Sequence, residues 1–166
     1  MKIIKLILII ILIVIPQISS ALINSSKLYD KGVQTAKEGN LDEAIEIFKK
    51  VIEVSPYYSL GHYGLGKCYL QKEDNIKEAI DELKIAVDLD KKLARGYFYL
   101  GIAYMYNKNY PYSISAFYTS FEIDKRNYAA LYNIGSVYDL MGHTVKSEKF
   151  YSDYFNQKEK TEIFEY

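Results

Sequence analysis

Apolar positions follow a helical beat from residue 27 to residue 157, broken at short intervals by turn residues. Leu28, Gly32 and Ala36 lie on related turns of a first helix, expected over residues 27–38 and closed by Glu38-Gly39-Asn40. Ala44, Ile45, Phe48, Val51 and Ile52 have the spacing of a second helix that stops before Pro56. The pattern then predicts helices over 59–72, 76–89 and 93–106. A sixth, with Pro111 in its first turn, runs to about Ile123. A seventh runs from Asn127 to about Met141, and an eighth spans 144–157. Asn40 with Glu43, and Asn75 with Glu78, have the spacing of capping boxes. No strand-like alternation competes with this reading.

Inside these helices four glycines, Gly32, Gly66, Gly101 and Gly135, recur at spacings of 34, 35 and 34 residues. A glycine within a helix costs about 1 kcal/mol relative to alanine. Four such costs at one period imply a repeated need, namely two helices crossing too closely for a Cβ. Ala44, Ala79, Ser113 and Ser147 keep the same beat. Four residues after each comes a bulky side chain: Phe48, Leu83, Phe117 and Tyr151. A fixed period in this range is the signature of stacked helical units.

The repeated positions resemble the tetratricopeptide repeat family, whose fingerprint runs W-x2-L-G-x2-Y, then A-x3-F, then P. The third unit offers Tyr97, Leu100, Gly101 and Tyr104, then Ser113 and Phe117. The second has His62, Leu65, Gly66 and Tyr69, then Ala79 and Leu83; the fourth has Leu131, Ile134, Gly135 and Tyr138, then Ser147 and Tyr151. The first is looser at its start but ends on Ala44, Phe48 and Pro56, while Lys91 and Lys125 replace the later prolines. The resemblance covers residues 25–157 and implies an all-α fold, a right-handed α-solenoid of four helix-turn-helix repeats. The units fall at about 25–58, 59–93, 94–127 and 128–157, leaving 158–166 as a tail or helical extension.

The first 24 residues stand outside that pattern. Lys2 and Lys5 precede an unbroken apolar run, Leu6 to Ile15, which Pro16 ends; Ser19 and Ala21 then supply small residues for cleavage after Ala21. This is the three-part form of a secretory signal peptide. The run is short for a membrane span, which needs about 20 residues. Residues 1–23 are therefore expected to be a cleaved signal or, alternatively, an uncleaved membrane anchor. Either way the remainder is expected to be exported, to the periplasm or beyond the cell.

Composition narrows the chemistry. Lys+Arg and Asp+Glu stand at 21 each; removing residues 1–21 takes away two lysines and leaves 19 against 21, a net charge of −2. That balance gives no general reason to expect a nucleic-acid partner. Cys68 is alone, so no internal disulfide forms, and its place between apolar neighbours reads as a small core residue. His62 and His143 are 81 residues apart with no metal-ligand spacing around them, and His62 fills the large-residue slot held by Tyr97 and Leu131 elsewhere. No P-loop, nucleophile elbow, zinc motif or CxxC is present. No catalytic, cofactor or metal site is expected, and the chain does not read as an enzyme.

What remains is a surface. The residues three before, one after and four after each glycine are expected to face away from the buried side. They are Tyr29, Val33 and Ala36; Tyr63, Lys67 and Leu70; Phe98, Ile102 and Met105; Tyr132, Ser136 and Asp139. In tetratricopeptide proteins the corresponding row lines a concave groove that binds peptides or helices. The resemblance therefore implies a protein or peptide partner held by Tyr29, Tyr63, Lys67, Phe98, Ile102 and Tyr132, with the aromatic rings as central anchors. Some family members clamp a chaperone's C-terminal carboxylate with Lys, Asn and Arg. Here Lys67 is the one cation of the row, and Val33, Ile102 and Ser136 stand where donors would help, so the groove reads as aromatic and apolar. The alternative in a different class is a membrane-tethered assembly factor for envelope proteins. The eighth helix carries Phe150, Tyr151, Tyr154 and Phe155 with no solvating helix behind it. Either residues 158–166 fold back over these rings or another chain covers them, which makes this edge a surface for self-association.

Overall fold

The helical beat of the sequence is realised as eight consecutive helices in a computed structural model of the chain, which describes residues 24–72 and 75–163. They are α1 (24–37), α2 (Leu41–Val54), α3 (Ser59–Gln71), α4 (Ile76–Leu89), α5 (Ala94–Tyr106), α6 (Tyr110–Ile123), α7 (Ala129–Leu140) and α8 (Thr144–Ile163). From α2 onward each helix packs mainly on the helix before it and the helix after it. The described residues contain no strand. No helix among them is long and apolar enough to cross a membrane. Both readings of residues 1–23, cleaved signal and anchor, lie outside the described residues.

The four repeated glycines sit where the helices of each pair cross. A β-carbon on Gly32 would lie 2.9 Å from the ring of Phe48, one on Gly66 2.8 Å from Leu83 Cγ, one on Gly101 2.7 Å from the ring of Phe117, and one on Gly135 2.7 Å from the ring of Tyr151. Each glycine is therefore paired with the bulky residue of its own unit. Ala44, Ala79, Ser113 and Ser147, one turn before those bulky residues, are all but fully buried. Ser113 adds a 2.8 Å hydrogen bond from its hydroxyl to the Gly101 carbonyl, tying α6 to α5. Phe48 serves two units, because a β-carbon on Gly64 of α3 would also collide with its ring.

Helix starts depart from expectation. Neither Asn40 nor Asn75 makes a side-chain cap hydrogen bond. The Asn40 turn is secured at the preceding helix end instead. Asn40 N–H donates to Thr35 O at 3.2 Å and Gly39 N–H to Ala36 O at 3.1 Å, with Gly39 in the left-handed region at φ +88°. His143 N–H to Tyr138 O at 2.9 Å and Gly142 at φ +76° repeat the motif, and Asn109 N–H to Tyr104 O at 2.8 Å repeats it around Lys108 at φ +58°. These are Schellman closures, which satisfy the last carbonyls of a helix and require a left-handed residue just beyond it. Pro111 stands in the first turn of α6 as expected.

Helix α8 runs straight on to Ile163, so residues 158–163 extend it rather than fold back. Three of its four rings lie against α7: Phe150 stacks on Tyr138 at 5.6 Å, while Tyr151 and Tyr154 pack on Tyr132 at 5.0 and 5.4 Å. Phe155 stays exposed.

Candidate functional site

Two adjoining cavities cross the face formed by α1, α3 and α5. The first, about 300 Å3, lies between α1 and α3 and is lined by Tyr29, Val33, Lys37, Tyr63, Lys67 and Arg95, among others. The second, about 410 Å3, continues toward the α6–α7 turn and shares Tyr63, Lys67 and Arg95 while adding Phe98 and Arg126. Four of the six expected partner-binding residues, Tyr29, Tyr63, Lys67 and Phe98, thus line one continuous groove. Ile102 lines a third depression with Leu70 and Tyr106, which shares Gln71 with the first cavity and Tyr99 with the second. Tyr132 is outside both cavities and half-exposed beneath the rings of Tyr151 and Tyr154.

The rings are more deeply placed than an outward row would be. Tyr63 is only 8% exposed and belongs to the core that joins α3, α4 and α5. Its ring meets Tyr99 edge-on at 5.8 Å, and burial pushes its phenol pKa up. Phe98 packs on Phe117 at 5.5 Å and Tyr29 on Phe48 at 5.6 Å. Helix geometry explains the difference: at about 100° per residue, a position three before a glycine lies about 60° from it around the helix, on the flank and not opposite. The position one after it, Lys67, lies about 100° away and does reach the groove. Its ammonium sits 5.0 Å over the Tyr99 ring, a cation–π contact that aims it across the surface.

The structure adds cations that the row omits. Lys37 and Arg95 join Lys67 in the first cavity, so Lys67 is not the groove's single positive charge. Lys37 falls about 140° from Gly32 and Arg95 about 120° from Gly101, the same flank as Lys67, so the angular count would have found both. Arg126 follows in the second cavity, paired with Asp124 at 3.1 Å.

Elsewhere, His62 is buried as its slot suggests, but it also bridges elements. Its Nδ1 lies 2.7 Å from Glu82 of α4 and its Nε2 3.0 Å from the Pro56 carbonyl in the α2–α3 turn. Cys68 is 1% exposed, and burial pushes its thiol up to about 11. Among the described residues no group of three or more His, Cys, Asp or Glu is placed to hold a metal ion.

An open groove along stacked helix pairs, with small-to-large locks at each crossing, defines a class: an α-solenoid scaffold for protein–protein interaction. The tetratricopeptide repeat model matches residues 36–97. Solved structures extend the likeness over most of the chain. MamA superposes with a TM-score of 0.79 at 25% identity, covering 85% of this chain and 82% of its own. PilF of Pseudomonas aeruginosa gives a TM-score of 0.75 at 18% identity, covering 83% of this chain and 63% of its own. The first tetratricopeptide domain of Spaghetti, solved with the HSP90 peptide SRMEEVD, gives 0.68 at 19% identity, covering 71% of this chain and 93% of its own. No curated protein sequence matches. The repeat match is confined to residues 36–97, and the solved structures show that the same fold extends over most of the chain.

Proposed function

We propose that this protein is an exported interaction scaffold that holds an extended or helical segment of a partner protein in the groove across α1, α3 and α5. The observation that carries the reading is the continuity of the two cavities through Tyr63, Lys67 and Arg95, over a floor of aromatic rings. Rigid aromatic surface beside polar groups suits peptide capture, because large rings contribute contact area at little conformational cost. The peptide-bound Spaghetti domain, whose fold this chain shares, is consistent with it. The test places a photoreactive benzophenone side chain at position 67 in the full-length protein, and in a second sample at position 46. Glu46 is exposed on α2 and serves as the control. Cross-linking of one partner at 67 and none at 46 is the expected result. Equal labelling at both positions, or labelling at 46 alone, overturns the groove.

Export rests on Lys2, Lys5, the Leu6–Ile15 run and the small residues Ser19 and Ala21. N-terminal sequencing of the exported protein tests it. A start near Leu22 supports cleavage; an intact Met1 overturns cleavage in favour of a tether that would make the protein an envelope assembly factor.

A further inference from the structure

The chain is neutral as a whole, yet its charge is sorted between two helix layers. Helices α1, α3 and α5 carry five Lys or Arg against a single acid, Asp30. Helices α2, α4 and α6 carry nine Asp or Glu against four Lys. The layer that forms the groove is basic, and the layer behind it is acidic.

Within the groove the sorting is sharper. No carboxylate lines the first cavity, whose wall includes Lys37, Lys67 and Arg95. Among the described residues none of these three forms an ion pair. Burial raises the Tyr29 and Tyr63 phenols, and the Arg95 guanidinium opposes that rise in both, so its charge acts across the cavity floor. The single carboxylate of the second cavity, Asp124, is engaged by Arg126.

The three cations are also staggered. Measured from the glycine of its own helix, Lys37 is five residues on, Lys67 one residue on, and Arg95 six residues back. At about 1.5 Å per residue this is a displacement of about 16 Å along the helix axes. Stepping from α1 to α5 crosses two helix spacings, about 20 Å in all. Between backbone positions the diagonal is therefore about 25 Å, the reach of about eight residues of extended chain at about 3.3 Å each. A clamp on one chain-terminal carboxylate needs donors converging on a point. Cations strung along a diagonal match charge distributed along a segment.

We propose that the groove takes an extended acidic segment of about eight residues, internal to its partner, laid diagonally from the C-terminal end of α1 across Lys67 to the N-terminal end of α5. This rests on the groove reading above and names the chemistry of its partner. Interleaved apolar side chains of the segment meet the aromatic floor, and its carboxylates meet the three cations. Electrostatic complementarity of this kind sets partner choice and association rate more than raw affinity.

The test pans a random dodecapeptide phage library on the full-length protein. Enriched sequences are then made as fluorescent peptides and titrated against the wild type, Lys67→Gln with Arg95→Gln, and Lys67→Glu with Arg95→Glu, with circular dichroism on every sample. Enriched peptides should carry an excess of Asp and Glu. They should bind about tenfold more weakly to the Gln pair, more weakly still to the Glu pair, and lose affinity as salt rises. The Gln pair keeps the comparison valid if charge reversal disturbs folding. Peptides that cross-link to the photoreactive side chain at position 67 yet show no excess of acid overturn the acidic assignment and leave the groove reading standing. An absence of any peptide cross-linked at 67 overturns both. Tighter binding of decathymidylate than of a ten-residue Glu-rich peptide makes the surface a nucleic-acid site and overturns the proposal.

Discussion

The Phe117 ring closes directly over Gly101, leaving 2.7 Å between its Cδ1 and the place a β-carbon would occupy. Phe117 is fully buried and cannot swing aside into solvent. Gly101→Leu therefore forces α5 and α6 apart, and overpacking of this kind costs about 1–3 kcal/mol or more. A thermal melt followed by circular dichroism should show a lowered Tm or no cooperative transition. An unchanged Tm would remove the crossing argument for all four glycines.

Lys108 holds a left-handed backbone at φ +58° in the position that Gly39 and Gly142 occupy in their own turns. A side chain there costs about 1 kcal/mol that glycine avoids. Lys108→Gly is expected to raise stability by about 0.5–1 kcal/mol, read as a higher urea midpoint. A lower midpoint would mean that the lysine side chain contributes more than its backbone costs.

Both ring nitrogens of His62 face acceptors, the Glu82 carboxylate and the Pro56 carbonyl, so the imidazolium donates two hydrogen bonds and the neutral ring only one. The bond to Glu82 is the main cause that raises its pKa above 6.5, against the opposing effect of burial. Its contribution to stability is thus complete below about pH 6.5 and is lost as pH rises through the folded-state value. Urea unfolding between about pH 5.5 and 8.5 should show the midpoint falling with pH, and Glu82→Gln should flatten that fall. A midpoint that rises over this range would refute the bridge.

Tyr63 lies in the core at 8% exposure, with Phe98 packed beside the Phe117 cluster. Tyr63→Ala together with Phe98→Ala should cost helical content or several kcal/mol of stability, since truncating one large core ring typically costs about 3–5 kcal/mol. Binding lost by that pair would report on folding. Lys67→Gln, which removes a charge at the groove surface, should leave the melt near that of the wild type. A double alanine variant that melts like the wild type would show the rings to be surface features.

The repeat itself was open to sequence reading because it is carried by residues with one physical job each. Gly66 is tolerated inside a helix only where Leu83 presses on it, and Ala79 is small because it is buried one turn away. Helix ends are less legible. Asn40 and Asn75 have the composition of caps but make no cap bond; the Asn40 turn is closed by the backbone around Gly39, as other turns are around Gly142 and Lys108, and nothing in a lysine side chain announces a left-handed turn. The groove was half legible. Lys67 is legible because it follows its glycine directly, while Arg95 and Lys37 keep no common register with it. They share a flank only once each offset is converted to an angle. The spacing of Tyr63 suggests an outward ring, although an angle of about 60° points it toward the next helix pair.

Each small-to-large lock joins residues sixteen or seventeen apart in the chain: Gly32 to Phe48, Gly66 to Leu83, Gly101 to Phe117 and Gly135 to Tyr151. Nothing distant is needed to close one. A nascent chain can set its first lock once α2 has left the ribosome, while α5 to α8 are still untranslated, and then add pair upon pair in order of synthesis. Structures whose contacts are this local fold fast. The same locality means that loosening starts at a terminal pair and works inward, because only the inner pairs have neighbours on both sides.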